Sequence, residues 1–557
     1  MLARGRVRAK IWVVLLGAAC VDNVTAPPQA ICHLSAVMAQ ALAVGQYKAI
    51  DPVPSQGCVV FPANAGTDSA EYLLVPQTVT QTPDFTSSFK LLGGTPAAAA
   101  AHVAAAVRAS PESPAQQFHN MLRGLEAQRA YANLVPGGAA LRAQAPPSAV
   151  INVGDQRTFR VLSTLRSGSS SVPVPATAQS VGQRIALFVD NAAPAGGMAV
   201  ADYNALRDVF DQRLYGADTA AFGRESDIDG NGLVIVLMTN VVNKLVTASD
   251  CFATGYIAGY FYGADIDPVS APLFNNAEIF FTMIADPAGT LSCPHSVSQV
   301  NRVVPTTLVH EFQHMISYNQ HVMIRHGRPE TLWLNEGMSH YAEELGGRTF
   351  LPGDSTSYCA YVTGDLRNAS DYLMDPGTYP LIDTTGTGGL ANRGAAWLFV
   401  RYLTDRFASD TSLAEQNAVT RALTQTALTS TANVAQATGA PFATTVGEWA
   451  LAAWASDLPG FTAPNALRYK TWAFRSAYPQ LRARCGNNIP AAFPLTATAD
   501  AGPSINLTGV MTSGSGGAYQ RALQAPGAGS YTLLYSDSTG AQLKTTVSAR
   551  LNVLRIR

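Results

Sequence analysis

The sequence predicts an α+β fold flanked by β-rich regions at both ends. The observations behind this are an alternating apolar and polar pattern near both ends, mixed strand and helix patterns in the middle, and a purely helical stretch between 335 and 457. The chain has 557 residues, more than one hydrophobic core normally organises, so several structural units are expected. Its 47% apolar residues, 13% charged residues and net charge of -1 argue against disorder and against a nucleic-acid partner.

The N-terminal region, 21–147, combines two patterns. Short strands are predicted between Cys58 and Leu92, because apolar and polar residues alternate there between Pro, Gly and Ser. The Ala-rich segment 95–133 has helical character. The Pro-containing run from Ala143 to Ser148 is then predicted to be a linker.

The central region, 148–458, is predicted to form one domain, with an α+β lobe (148–334) and a helical lobe (335–458). The C-terminal region, 459–557, returns to short strand-like runs and is predicted to be a small β domain. The predicted central strands are 158–162, 184–190, 232–238 and 277–283, and the helices are 201–215, 305–318, 395–407 and 446–455.

The first 20 residues have the layout of a signal peptide. Four basic residues precede the apolar run Ile11–Ala19, which is too short to span a bilayer, and no later stretch reaches the ~20 apolar residues of a transmembrane helix. The run from Leu16 to Cys20 resembles a bacterial lipoprotein processing site, but Gly17 stands where an aliphatic residue is usual. We therefore expect an exported bacterial protein, secreted or attached to the cell envelope, with Cys20 as a candidate lipid anchor.

Cysteine usage agrees with export. Without Cys20, six cysteines remain, enough for complete pairing. Pairing of neighbours would give Cys32–Cys58, Cys251–Cys293 and Cys359–Cys485, although six cysteines allow about 15 connectivities and the sequence does not choose among them.

The strongest local signal is HExxH, formed by His310, Glu311 and His314. Two histidines four residues apart lie one above the other on a helix, so both imidazoles can reach one tetrahedral zinc ion. On the same helix Leu308, Phe312 and similar residues form an apolar stripe that points elsewhere.

A catalytic zinc site needs a third protein ligand, and Glu336 in the segment WLNEGMSHYAEE is the candidate. Asn335 is a suitable N-cap and Gly346-Gly347 a suitable stop, which predicts a short helix over 336–345. Glu336, His340 and Glu343 share one face of that helix.

The segment HEFQHMISYN followed by WLNEGMSHYAEE resembles the hyicolysin-type neutral metallopeptidases, and also the zinc aminopeptidases related to leukotriene hydrolase. The resemblance is tight over 300–347 and looser from 180 to 405, where it includes the segment Asp227-Ile-Asp-Gly-Asn-Gly. It implies a zincin-like core of the gluzincin type, peptide-bond hydrolysis, and Zn²⁺ held by His310, His314 and Glu336.

Glu311 is then expected to act as the general base on a zinc-activated water. The resemblance implies that Glu343 contacts a zinc-bound histidine and orients it without binding the metal itself, with Glu344 and His340 as alternatives. It also implies a tyrosine just before Gly394 to stabilise the oxyanion, but this chain has Ala391-Asn-Arg there. Candidates for that catalytic role are Arg393, His340 and Tyr402.

Asp227, Asp229 and Asn231 repeat the opening of an EF-hand loop, which makes Ca²⁺ a candidate second ion. Met238 stands where such a loop has its final Glu, and a strand is predicted to follow instead of a helix. The alternative is an Asx-rich turn that leads into a strand.

Two functions from different classes remain. One is an endopeptidase acting on extended polypeptide, with Ala277–Met283 as the edge strand that pairs with substrate. Because the GxMEN-type motif of the related aminopeptidases is absent from the sequence, exopeptidase activity is less favoured. The other is a surface-associated binding or structural protein with a vestigial zinc site. The absence of the tyrosine expected just before Gly394 favours this second function.

Overall fold

The computed structural model describes residues 39–93, 102–103, 113–129, 150–168, 170–386, 389–501 and 505–557. The predicted signal peptide, the candidate lipid anchor Cys20 and Cys32 lie outside these residues. No helix in the described ranges combines the length and apolarity needed to cross a membrane.

The strands are β1 (Tyr47–Ile50), β2 (Cys58–Phe61), β3 (Ala70–Thr78), β4 (Thr86–Gly93), β5 (His102–Val103), β6 (Gln156–Leu162), β7 (Ser171–Val181), β8 (Ile185–Asp190), β9 (Val234–Met238), β10 (Gly259–Phe261), β11 (Ile279–Thr282), β12 (Thr498–Ala501), β13 (Asn506–Thr512), β14 (Gln520–Gln524), β15 (Tyr531–Ser536) and β16 (Ala549–Arg555).

The α-helices are α1 (Pro114–Gln128), α2 (Val200–Val209), α3 (Tyr215–Phe222), α4 (Asn240–Asn243), α5 (Ala248–Thr254), α6 (Val297–Tyr318), α7 (Leu332–Arg348), α8 (Ser355–Met374), α9 (Gly389–Phe407), α10 (Leu413–Thr424), α11 (Ser430–Thr438), α12 (Phe442–Ala455) and α13 (Phe474–Cys485). A π-helical turn, Phe210–Leu214, joins α2 to α3.

Strands from the two ends of the chain form one two-sheet unit, which we call the terminal sandwich. One sheet has the order β1-β16-β3-β14-β12 and the other β2-β15-β4-β13-β5. Their inner faces share a core, in which the rings of Phe61 and Tyr72 lie 4.8 Å apart. The expectation of separate β-rich regions at the two ends is therefore wrong, because each end supplies strands that pair with strands of the other.

The Ala-rich segment 95–133 is only partly helical. Helix α1 begins after Ser113, whose side chain accepts a hydrogen bond from the Gln116 amide in a capping box. His102 and Val103, predicted to be helical, instead extend the terminal sandwich beside β13. The rest of the segment lies outside the described residues.

The α+β lobe is built on a six-stranded sheet of order β10-β11-β9-β8-β7-β6. Strands β8, β9 and β11 are parallel, whereas β10 runs antiparallel to β11 at the sheet edge. The prediction that Ala277–Met283 forms the edge strand is wrong, because β11 has β9 on one side and β10 on the other.

Helix α6 carries HExxH and begins earlier than predicted. Ser296 caps it by accepting a hydrogen bond from the Gln299 amide, and Pro305, the expected start, lies inside it. Helix α7 is also longer than the predicted 336–345, with Thr331 instead of Asn335 at the N-cap. Gly346 and Gly347 do not end α7: a Cβ at Gly347 would lie 2.9 Å from the Tyr361 Cβ, so this glycine allows α8 to approach closely.

The helical lobe, α7 to α13, packs against the sheet lobe through the contacts of α6 with α7 and of α3 with α10. It extends beyond the predicted boundary at 458, because α13 joins α8 through the Cys359–Cys485 disulfide. The Cys251–Cys293 disulfide confirms a second predicted pair. Cys58 is also disulfide-bonded, but its predicted partner Cys32 is not among the described residues.

Candidate metal centre

Helices α6 and α7 bring His310, His314 and Glu336 together as the sequence predicts. The His310 Nε2 atom lies 3.4 Å from Glu336 Oε2, and the His314 Nε2 atom lies 3.5 Å from Glu336 Oε1. All three side chains are buried. One ligand atom from each lies within 4.8 Å of the others, as a shared metal ion would require.

These separations fit zinc. Zn²⁺ binds nitrogen and oxygen ligands at about 2.0–2.2 Å in tetrahedral geometry, which sets neighbouring ligand atoms roughly 3.3–3.6 Å apart. Burial first lowers the pKa of His314, and the positive charge of Arg123 lowers it further, to about 3. Burial also lowers the pKa of His310, but the hydrogen bonds and negative charges of Glu336 and Glu343 outweigh it and raise that pKa to about 10. Because only a neutral imidazole binds a metal ion, metal binding at His310 would release a proton.

A series of contacting side chains holds the His310 ring in its orientation through the Nδ1 atom. Its Nδ1 atom lies 2.7 Å from Glu343 Oε1, and the same oxygen lies 2.9 Å from His340 Nδ1. The His340 Nδ1 atom is also 2.9 Å from Asp365 Oδ1 on α8. Glu343 thus occupies the place expected of a ligand-orienting carboxylate, and His340 contacts that carboxylate and Asp365.

The second histidine has a different partner, which the sequence did not reveal. The hydroxyl of Ser339 lies 3.1 Å from His314 Nδ1 and donates to Gln313 Oε1 at 2.5 Å. The same oxygen lies 3.3 Å from His314 Nε2 and 3.1 Å from the Asn335 carbonyl oxygen. Ser339 therefore contacts the His314 ring from α7 and limits its movement.

Of the three oxyanion candidates, the structure brings Arg393 and His340 close to the centre. The Arg393 Nη1 atom lies 3.1 Å from Glu336 Oε2, so the guanidinium neutralises a ligand carboxylate. Burial opposes ionisation of Glu336, but Arg393 and the two histidines more than reverse this and lower its pKa. Tyr402 lies away from the centre, where its hydroxyl donates to the Ala466 carbonyl at 2.7 Å.

Glu344, the alternative to Glu343, faces a different network. One of its oxygens accepts from Trp472 Nε1 at 2.9 Å and lies 3.1 Å from Arg401 Nη1. Both side chains of this ion pair are fully buried. Glu344 therefore stabilises the packing of α7 against α9, whereas Glu343 contacts the ligand.

Glu311 lies between the metal ligands and the edge strand β10. Its Oε2 atom accepts a hydrogen bond from the Phe261 amide at 2.9 Å, while Oε1 lies 3.6 Å from His119 Nδ1 on α1. Burial raises the pKa of Glu311, although His310 and Arg123 oppose the shift. One oxygen is thus anchored and the other faces the cleft.

The second candidate ion site is formed by a different set of residues from the one predicted. Asp227 and Asp229 lie close to Glu278, which directly precedes β11. Asn231 is turned toward the backbone: its Oδ1 accepts from the Leu233 amide at 2.6 Å, and its Nδ2 donates to Asp229. The turn leads into β9, and Glu278 joins Asp227 and Asp229 in the place expected for Asn231.

Comparison with known proteins gives a partial match. The chain is 28% identical over 138 residues to the neutral metalloprotease ShpI of Staphylococcus hyicus. That alignment spans 24% of this chain and 29% of the relative. No protein-family model matches the chain. The chain is therefore distantly related to a metalloprotease over a limited segment, and this relationship favours metal-dependent proteolysis.

Proposed function

We propose that this protein is a zinc-dependent peptidase with a gluzincin-type core, which hydrolyses internal bonds of extended polypeptides. The observation that carries the proposal is the placement of Glu311. Its cleft-facing Oε1 lies on the same helix as two of the three side chains that fit a tetrahedral zinc ion. A vestigial metal site would not need a base anchored by the Phe261 amide.

His310, His314 and Glu336 would hold the ion, which when bound supplies Lewis acidity and makes water a proton donor near neutral pH. Glu311 Oε1 would accept the proton from the attacking water, and its raised pKa suits a base that later returns that proton to the leaving amine. Arg393 is a positioning residue in this scheme, because it contacts the ligand carboxylate.

Strand β10 is the proposed docking edge for substrate. The amide of Phe261 donates to Glu311, and the carbonyl of Phe261 faces the same cleft, where it accepts from Arg123 of α1. An extended peptide that pairs with this edge would be recognised through its backbone, with little demand on its ends. This favours an endopeptidase over an exopeptidase.

The first prediction tests the general base. Glu311→Gln should retain one zinc per chain and a normal unfolding temperature, but casein hydrolysis should fall by roughly 100-fold to 10,000-fold, as expected from losing a general base. Metal analysis, calorimetry and hydrolysis of casein with and without a chelator measure these quantities. Normal activity in this variant would remove Glu311 from the mechanism.

The competing function is a surface-associated binding protein with a vestigial zinc site. It would be supported if the zinc-loaded wild-type chain, and the variants with altered α1 described below, all failed to hydrolyse casein and short peptides. The arginine at 393 where the resemblance implies a tyrosine is the feature that favours it.

We also propose that the chain is exported from a bacterial cell, as the arrangement of its first 20 residues and the Cys251–Cys293 and Cys359–Cys485 disulfides suggest. Mass spectrometry of the protein recovered from culture medium and envelope fractions would test this. A lipid on Cys20 would indicate anchoring, whereas cleavage without lipid would indicate secretion.

A structural Ca²⁺ ion is proposed for Asp227, Asp229 and Glu278. Glu278 is 1% exposed, and its Oε2 atom has no hydrogen-bond partner among the residues that the structure describes. The Arg157 guanidinium lies 3.9 Å from Asp229 Oδ2. Three carboxylates beside one arginine leave a net negative charge, which a divalent cation would neutralise. Because the group precedes both β9 and β11, an ion there would join the starts of two parallel strands.

Adding Ca²⁺ to the zinc-loaded protein should raise its unfolding temperature, and Glu278→Gln should abolish that increase while leaving the zinc content unchanged. Glu225→Gln is the matched control, because Glu225 lies in the same segment but accepts a hydrogen bond from the Tyr215 hydroxyl. An equal response to Ca²⁺ in the wild type and in Glu278→Gln would contradict this assignment.

A further inference from the structure

Helix α1 lies across the candidate active site and contacts both of its walls. On the sheet side, the Arg123 Nη2 atom donates to the Phe261 carbonyl at 2.8 Å, and Glu126 Oε1 accepts from the Gly263 amide at 3.2 Å. On the helical side, the Asn120 side-chain amide donates to the Gly386 carbonyl at 3.4 Å. The helix therefore bridges the cleft between the two lobes.

The contacts on the sheet side use the backbone groups that a substrate would need. The Phe261 carbonyl and the Gly263 amide lie at and just beyond the end of the edge strand β10. An extended peptide would pair with such groups, but here two side chains of α1 occupy them. Arg123 and Glu126 also form an ion pair with a 2.9 Å separation, and both are almost completely buried.

The same helix directs a side chain at the proposed base. His119 Nδ1 lies 3.6 Å from Glu311 Oε1, on the side where the attacking water and the substrate carbonyl would meet. Phe118, the preceding residue, packs its ring edge-to-face on Tyr260 of β10, with ring centroids 5.0 Å apart. His119 is thus directed at Glu311, while Phe118 anchors α1 on the edge strand.

Little room is left beneath the helix. The cavity between α1 and Glu336, which Gln116, Asn120 and Arg393 also line, has a volume of about 20 Å³. One water molecule needs roughly 10–15 Å³, so on this flank of the metal centre there is no room for a peptide residue.

We propose that α1 is an autoinhibitory helix that blocks substrate from the zinc centre, so that the chain described here is a latent form of the enzyme. The inference rests on the proposed function, since it assigns regulation to that same site. Substrate would reach β10 and Glu311 only after α1 leaves the cleft.

The test compares the full-length, zinc-loaded wild type with the double variant Arg123→Ala/Glu126→Ala, which removes the two hydrogen bonds to the backbone of Phe261 and Gly263. We expect kcat/KM for a short fluorogenic peptide to rise roughly tenfold or more, because two charge-assisted hydrogen bonds that hold α1 are lost. Gln128→Ala, at the exposed end of the same helix, is the matched control and should behave as the wild type.

Two further measurements keep the result interpretable if the double variant is less stable. A synthetic peptide with the sequence of residues 113–129 should inhibit the double variant when added in trans, which a folding defect would not produce. A zinc-binding hydroxamate should bind the double variant more tightly than the wild type, and this readout does not depend on turnover.

The outcomes separate the two proposals. If the double variant binds zinc and folds normally but shows neither higher kcat/KM nor tighter hydroxamate binding, α1 is a fixed wall of the site and the inference is overturned. If hydroxamate binding tightens but no substrate is cleaved by any form, the helix does cover the centre and the proposed peptidase function fails instead.

Discussion

The candidate active site has two sides, which are built in different ways. We call the side formed by α6 and α7 the floor and the side formed by α1 the roof. On the floor, α6 and α7 supply the candidate metal ligands, and His310 and His314 each have a buried partner in Glu343 and Ser339. On the roof, α1 reaches the same space through polar side chains that contact the backbone of β10. The floor is held in a fixed geometry by these buried partners. The roof combines apolar packing of Phe118 and Leu122 with polar contacts to backbone groups that a competing peptide could also contact.

The largest effect should come from the floor. Glu336→Ala removes one of three ligands, so the purified variant should contain almost no zinc and have no activity. Glu343→Ala removes only the partner of His310 Nδ1, for which a loss of roughly 10–100-fold in metal affinity is typical. Zinc titration of both variants measures the difference. Tight zinc binding by Glu336→Ala, together with metal loss in Glu343→Ala or His340→Ala, would show that the third ligand is another residue.

A smaller effect is expected from the packing beneath the floor. A Cβ atom at Gly394 of α9 would lie 2.1 Å from the Asn368 carbonyl oxygen of α8, so Gly394→Ala must push these helices apart. Overpacking of this kind costs about 1–3 kcal/mol. Arg393 is the preceding residue, so the variant should lose zinc affinity as well as thermal stability. Calorimetry that showed no destabilisation would mean that the two helices can separate freely.

The smallest effect is expected in the roof. A Cβ atom at Gly124, in the middle of α1, would meet no atom of the described part of the chain within 4 Å, so alanine there should only raise helix propensity, by up to about 1 kcal/mol. If α1 is a displaceable cover, a more stable helix should lower the basal kcat/KM by up to roughly fivefold. The same substitution would increase activity, or leave it unchanged, if the helix belonged to the working site.

The sequence predicted the floor better than the roof because the two depend on different distances along the chain. His310 and His314 are one helical turn apart, so their convergence follows from local geometry. Ser339 and Asp365 act on residues 25 positions away, and no local pattern identifies such partners. His119 is farther still from Glu311, in a segment where the sequence showed only Ala-rich helical character.

Strand predictions failed where pairing decides the structure. The run Ala277–Met283 is apolar and easily recognised, but its place in the sheet depends on β10, which is only three residues long. Likewise the alternating patterns at the two ends predicted strands correctly without indicating that β3 pairs with β16. Nothing in either segment alone specifies a partner more than 400 residues away.

The terminal sandwich also constrains the order of folding. Strand β16 lies between β1 and β3, so this sheet cannot close until the ribosome has synthesised the chain beyond Arg555. Until then β1 and β3 have exposed edges while the central lobes are already able to form their more local contacts. Strands of such high contact order are slow to pair, so the sandwich should be the last part to assemble and the part most dependent on protection from aggregation during synthesis.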